Sequence, residues 1–221
     1  MGLTFLEVVL GAVVAILITI LVENLRKPKL QLRLDPPTDV KYTPQERPAN
    51  EARYLGLALV NMPLPRWARW MSRSTALQCH GEITFHHLDG QNVFGRSMAG
   101  RWSRSPEPVA ITFKIDQHMV LVSDPSRLTN IIDIPPGESE HINIAARFDN
   151  ENDCYGWNNE SYFSNPIWRN PDWRLNPERY LVRVIIISAG EKCVGHFRLI
   201  NDVPRHDFRI ENSLPEDVVS D

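Results

Sequence analysis

The chain has 221 residues, with 24 Lys and Arg against 27 Asp and Glu, giving a formal charge of -3. That balance excludes the basic surface of a nucleic-acid binder, and no nucleic-acid partner is expected. Three scattered cysteines, Cys79, Cys154 and Cys193, exclude a disulfide-stapled scaffold and form no CxxC pair for zinc, so they read as free thiols in a reducing compartment.

Residues 3–22 form a 20-residue stretch with one charge, Glu7. At about 1.5 Å per residue, a helix of that length just crosses the ~30 Å hydrocarbon core of a bilayer. A cleavable signal needs positive charge before its apolar region and small residues at the cut. Residues 1–6 carry no Lys or Arg, and Val22-Glu23-Asn24 has no A-x-A pattern. Leu6 stands where an N-myristoylation motif needs Ser or Thr. Residues 1–27 are therefore expected to be a transmembrane anchor.

Arg26, Lys27, Lys29 and Arg33 follow the apolar run and no basic residue precedes it. Positive residues stay in the cytoplasm, so the chain is expected in the cell membrane as a single-pass protein with its C-terminal domain cytoplasmic. The triplet Asn159-Glu160-Ser161 is accordingly expected to be unglycosylated. Glu7, Gly11, Ala15 and Thr19 recur every four residues and share one helix face. Gly11 and Ala15 permit close approach of a second helix, and Glu7 and Thr19 offer polar contacts across it, which predicts a homo-oligomer. The alternative is that Glu7 snorkels to the interface and the small residues carry no partner.

Beyond Pro28 the periodicity changes to two. Leu30, Leu32 and Leu34 alternate with Gln31 and Arg33, predicting a short strand. Residues 35–51 hold four prolines and few apolar residues, so 28–52 is expected to be a first strand with a Pro-rich linker. Strand-like runs follow at 53–61, 75–87, 108–115, 128–134, 140–148, 179–188 and 192–200, separated by turns such as Asp89-Gly90, Pro135-Pro136-Gly137 and Ala189-Gly190. No βαβ alternation intervenes, so a mainly β antiparallel sandwich is expected over 53–203, with a polar tail over 204–221. RYLVRVIIIS (179–188), apolar on both faces near its end, is expected at the centre of a sheet.

LALVN (57–61) followed by ALQCHGEITF (76–85) resembles the B and C strands of Ig-like β-sandwiches, including adhesion-related domains of bacterial surface proteins. NPERYLVRVIIISAG (176–190) with CVGHFRLI (193–200) resembles their last hairpin. The resemblance implies a fold and no function, and it departs from antibody-type domains in lacking a Cys-Trp-Cys core.

Chemistry is sought in three places. The segment 149–179 is about thirty residues long, beyond a hairpin loop, and carries Tyr155, Trp157, Tyr162, Phe163, Trp168 and Trp173 among Asn and Arg. Two readings stand: Tyr155, Trp157, Tyr162, Trp168 and Trp173, with Arg169 and Arg174, stack on a ligand, or the rings cap the core. Its start spaces Asp149, Asp153 and Glu160 like a calcium loop, but Cys154 replaces the needed glycine. The second place is 63–74, where Trp67 and Trp70 interleave with Arg66, Arg69 and Arg73; that mixture suits a membrane interface, a protein partner, or packing on the domain. The third is CHGEITFHH, whose His80 and His86 lie too far apart along a strand to share a metal. No nucleophile elbow, phosphate loop, zincin motif or dinucleotide fingerprint occurs, so no catalytic residue, cofactor or metal is expected. The expected function is a membrane-anchored, non-enzymatic binding or assembly module with a protein or small-ligand partner. Two alternatives stand: a ligand-gated sensor or effector signalling by helix association, and an anchored hydrolase of unrecognised type.

Overall fold

The computed structural model of the protein describes residues 2–42, 50–108, 110–115, 118–123, 130–149 and 151–217. Residues 43–49 of the expected linker, 128–129 of an expected strand and 218–221 of the expected tail lie outside the described residues. Helix α1 (Gly2–Arg26) is followed by β1 (Leu30–Leu34), β2 (Thr38–Tyr42), β3 (Asn50–Asn61), β4 (Ala76–His86), β5 (Met98–Ala99), β6 (Arg101–Trp102), β7 (Ala110–Ile115) and β8 (His118–Ser123). Then come β9 (Ile132–Ile134), β10 (Ser139–Phe148), β11 (Cys154–Gly156), β12 (Arg174–Leu175), β13 (Arg179–Ser188), β14 (Glu191–Ile200) and β15 (Arg209–Asn212).

Helix α1 is long and apolar enough to cross a membrane, and its side chains from Glu7 to Leu21 are all exposed. An apolar stretch of helix whose side chains all stay exposed requires an apolar surrounding or a partner.

Among the described residues the strands form two larger antiparallel sheets and one separate hairpin, β7–β8. In the first sheet β3 pairs β10 along its length. β1 and β2 share the opposite edge of β3, while β6 and β11 share the far edge of β10 and β12 continues from β11. The second sheet runs β15-β14-β13-β4, with β5 and β9 on β4. β13 thus lies between β14 and β4, with Val182, Val184 and Ile186 buried and Ile185 and Ile187 half-buried on the other face.

Both sheets contribute to one apolar cluster. Leu55, Leu57 and Leu59 of β3 and Ile142 and Ile144 of β10 join Ile83, Phe85, Val182, Val184 and Ile186 of the second sheet. Alternation decides this: the odd-numbered β3 leucines point inward while Tyr54, Gly56, Ala58 and Val60 are only half-buried on the outer face. Each fully buried Leu or Ile contributes about 2 kcal/mol. Gly81 and Gly100 make room for Ile142, because a Cβ at either position would collide with its Cδ1. At the β13–β14 turn Gly190 takes φ of +92°, which L side chains rarely adopt.

The short strands β5, β6, β11 and β12 and the hairpin strand β8 lie outside the expected runs, and two further segments differ from their sequence reading. The expected linker carries β2, which pairs Thr38–Tyr42 with the start of β3. The expected tail carries β15, which pairs with β14. Both lie at sheet edges; β2 is mostly polar and held by its ladder, whereas β15 adds Ile210 to the apolar core.

Candidate functional site

Three rings of the long aromatic segment turn inward, Tyr162 and Trp168 are half-buried and Phe163 is exposed. Tyr155, Trp157 and Trp173 retain 8%, 4% and 2% exposure. Tyr155 and Trp157 join Ala52, Ala146 and Phe148 in a second apolar cluster, with Tyr54, Tyr162 and Trp168 packed against it. Outward-facing Tyr54 meets Trp157 edge-on at 4.9 Å, and Trp157 meets Tyr162 at 5.6 Å. Burial raises the Tyr155 phenol to about 12. Trp168 takes φ of +71°, and its amide donates to Ser161 O at 2.7 Å.

The polar partners of these rings are engaged within the protein. Trp173 Nε1 donates to Glu160 at 2.6 Å, and Arg96 lies 4.4 Å over the Trp173 ring. Arg169 pairs with Glu151 and lies over the Phe148 ring, while Arg174 pairs with Asp153 at 2.5 Å. Asp149 turns to Arg205 at 2.7 Å. Asp149, Asp153 and Glu160 thus diverge to separate partners.

The wall made by Tyr54, Trp157 and Tyr162 borders a cleft of about 540 Å³ on the outer face of the first sheet. Its floor is Gly56 of β3 beside Asn143 and His141 of β10; its opposite wall is the Asp35–Val40 stretch where β1 gives way to β2. Ser103 and Glu107, just beyond β6, close one end. His141 Nδ1 and Asp35 Oδ2 lie 2.6 Å apart, and Ser103 Oγ donates to Asn143 Oδ1 at 3.0 Å. Arg101, 3% exposed, secures this end: it donates to Asn159 Oδ1 at 2.9 Å and Ser105 O at 2.7 Å and stacks 5.0 Å from Tyr162.

The residue types of a hydrolytic triad are therefore near one another, but the Ser103 hydroxyl donates to Asn143 Oδ1 rather than to the His141 imidazole, and Ser103 meets His141 through its backbone amide, which donates to His141 O at 2.8 Å. A nucleophile needs the base on its own hydroxyl. The arrangement suits recognition: a carboxylate, an imidazole, an amide and a hydroxyl face an aromatic wall. Sequence reasoning missed Asp35, Ser103 and His141: the β1–β3–β10 pairing brings Asp35 to His141, and the β6–β10 pairing adds Ser103.

The 63–74 loop lies at the other end of the sheet, against α1. Leu64 and Ala68 are buried, which pins a single 3-10 turn, Arg66–Ala68, and directs Arg66, Trp67, Arg69 and Trp70 outward. Arg73 Nη1 donates to Lys27 O at 2.5 Å and Ser74 N to Arg26 O at 2.7 Å. Lys29 O accepts from Met62 N at 2.8 Å.

On the helix, Glu7, Gly11 and Ala15 are exposed, but the Thr19 hydroxyl donates to Ala15 O at 2.9 Å and is taken up within the helix. The thiols are poor nucleophiles: burial raises Cys79 to about 11, Cys154 further still, and Cys193 in the same direction. Among the described residues no three His, Cys, Asp or Glu gather to hold a metal ion. No family model matches the chain, and no curated protein or solved structure matches it.

Proposed function

We propose that the chain is a single-pass, membrane-anchored binding module with a cytoplasmic Ig-like β-sandwich, taking its partner in the cleft beside Asp35 and His141. The observation that carries the binding reading is the Asp35–His141 pair: His141 Nδ1 meets Asp35 Oδ2 at 2.6 Å, no other side-chain hydrogen bond to either residue occurs among the described residues, and both line the cleft together with Tyr54 and Trp157. Ligand sites combine such an apolar wall with a few convergent polar groups. The partner is a small polar ligand or a protein segment with a polar group to place between Asp35, His141 and Asn143.

Retention of α1 as an anchor is supported by its stitching to the domain, since the carbonyls of Arg26 and Lys27 accept from Ser74 and Arg73. A cytoplasmic domain is supported by Arg26, Lys27, Lys29 and Arg33, by three free cysteines, and by Asn159, whose carboxamide is buried against Arg101 and Asn130. Support for the Ig-like reading is topological. With β1, β3, β4, β10, β13 and β14 as strands A, B, C, E, F and G, the A–B, B–E, C–F and F–G pairings of that sandwich follow. Tyr180, at the start of the F position, donates to Asn176 O at 3.1 Å, the contact of a tyrosine corner. Self-association through Glu7, Gly11 and Ala15 is the partner reading of the helix, with Thr19 contributing bulk rather than a hydrogen bond.

Photo-crosslinking from Ser103 in intact cells tests the cleft. A defined adduct that disappears in Asp35→Ala and His141→Ala supports the reading; labelling no stronger than from exposed Lys192 contradicts it.

A further inference from the structure

Trp67 and Trp70 are 67% and 78% exposed, an unusual position for the residue type with most to gain from burial. They are not isolated. Trp70, Met71 and Ser72 line a small hollow with Val22 and Arg26 of α1. Val22 is the last residue of the apolar run, so Trp70 reaches back along the helix to the depth where hydrocarbon meets headgroups. Arg66 and Arg69 flank Trp67 and Trp70 in the loop, Arg26 lines the hollow beside Trp70, and these arginines and Lys27 are all exposed.

The loop cannot drift from that depth. Ser74 and Arg73 bond the carbonyls of Arg26 and Lys27, and buried Leu64 and Ala68 hold the other side of the turn in the domain. Trp rings favour the interfacial layer, where an apolar face and an N–H are both satisfied, and arginines beside them meet lipid phosphates.

We propose that the 63–74 loop and the end of α1 form one binding surface for the headgroups of an anionic bilayer, which holds the β domain against the membrane in a fixed orientation. This rests on α1 being a membrane span. The occupant is the bilayer rather than a protein because the surface is continuous with the helix end and carries the charge that complements anionic phospholipid. Each arginine at the surface shifts the docked-to-undocked ratio about five-fold.

The test uses the full chain reconstituted in vesicles containing brominated phospholipid, with either phosphatidylcholine alone or added phosphatidylglycerol. Flotation with the vesicles reads the anchor; quenching of tryptophan emission reads the loop. The expected result is flotation with strong quenching, lost in Trp67→Phe/Trp70→Phe because the other four tryptophans belong to the β domain. Arg66→Gln/Arg69→Gln is expected to reduce quenching in the phosphatidylglycerol vesicles. Flotation with equal quenching in wild type and Trp67→Phe/Trp70→Phe would overturn the loop assignment and leave the anchor intact. Quenching indifferent to phosphatidylglycerol and to the arginine substitutions would overturn its anionic-lipid selectivity. Failure to float would overturn the anchor itself. Both tryptophan sites are exposed, so circular dichroism of the variant is expected to match wild type.

Discussion

Ser74 donates its backbone amide to the carbonyl of Arg26 at 2.7 Å, joining the entry to β4 to the last turn of an apolar helix. Three residues further along, Lys29 exchanges with Asn61 and Met62: its amide donates to Asn61 Oδ1 and its carbonyl accepts from Met62 N. The helix therefore ends inside the hydrogen-bonded frame of the β domain rather than on a free tether. The Ser74 and Met62 amides are expected to exchange slowly with solvent in the full chain. Exchange as fast as that of an open loop would contradict the docked helix end.

Arg147 is buried, and its guanidinium donates to the carbonyls of Glu151, Asn201 and Val203 and to Asn201 Oδ1. Desolvation lowers its pKa. It ties the start of the aromatic segment to the chain leaving β14. Arg147→Met removes the charge but orphans those carbonyls, so a loss of about 3 kcal/mol is expected in denaturant unfolding. A loss below about 1 kcal/mol would mean that water replaces the guanidinium without cost.

Tyr180 is 1% exposed and its hydroxyl reaches Asn176 O. Tyr180→Phe keeps the ring and removes one hydrogen bond, so a cost of about 1 kcal/mol is expected. An unchanged unfolding midpoint would deprive the Ig-like reading of its corner contact.

Cys79 titrates from an ordinary 9.0 when unfolded to about 11 when folded. The folded thiol holds its proton longer than the unfolded one, so its contribution is complete below pH 9. Between pH 9 and 11 the unfolded chain releases that proton first, and stability falls by an amount on the order of 2 kcal/mol. Cys79→Ala is expected to flatten this part of the stability curve, and alkylation of Cys79 at neutral pH is expected only after unfolding. Rapid native alkylation would refute the buried-thiol account.

Much of the frame was legible in the residues. The runs at 53–61, 75–87, 140–148, 179–188 and 192–200 became β3, β4, β10, β13 and β14, because alternating or continuous apolar residues declare a buried face directly. β2 and β15 are not legible because Thr38–Tyr42 and Arg209–Asn212 are short and mostly polar edge strands, β15 sending only Ile210 into the core. The cleft was not legible at all: Asp35 and His141 are 106 positions apart, and only strand pairing makes them neighbours. For the aromatic segment the residues leave two readings open, ligand stacking and capping of the core. Its Asn, Glu and Arg residues suggest a wet surface, yet Glu160 and Arg96 satisfy Trp173 from the sides and leave the ring in the core.

The helix face offers a separate check. Gly11 has nothing within 4 Å of a built Cβ, so Gly11→Ile is sterically free within one chain. Crosslinking in membranes is expected to yield dimers for wild type and monomers for Gly11→Ile. Equal monomer patterns would remove the self-association reading.

The side of the membrane on which the β domain lies is tested most directly by protease protection. The domain is expected to survive protease added to intact cells and to be digested when the same membranes are inverted into vesicles. Digestion on intact cells, with protection in the inverted vesicles, would reverse the topology and contradict the account.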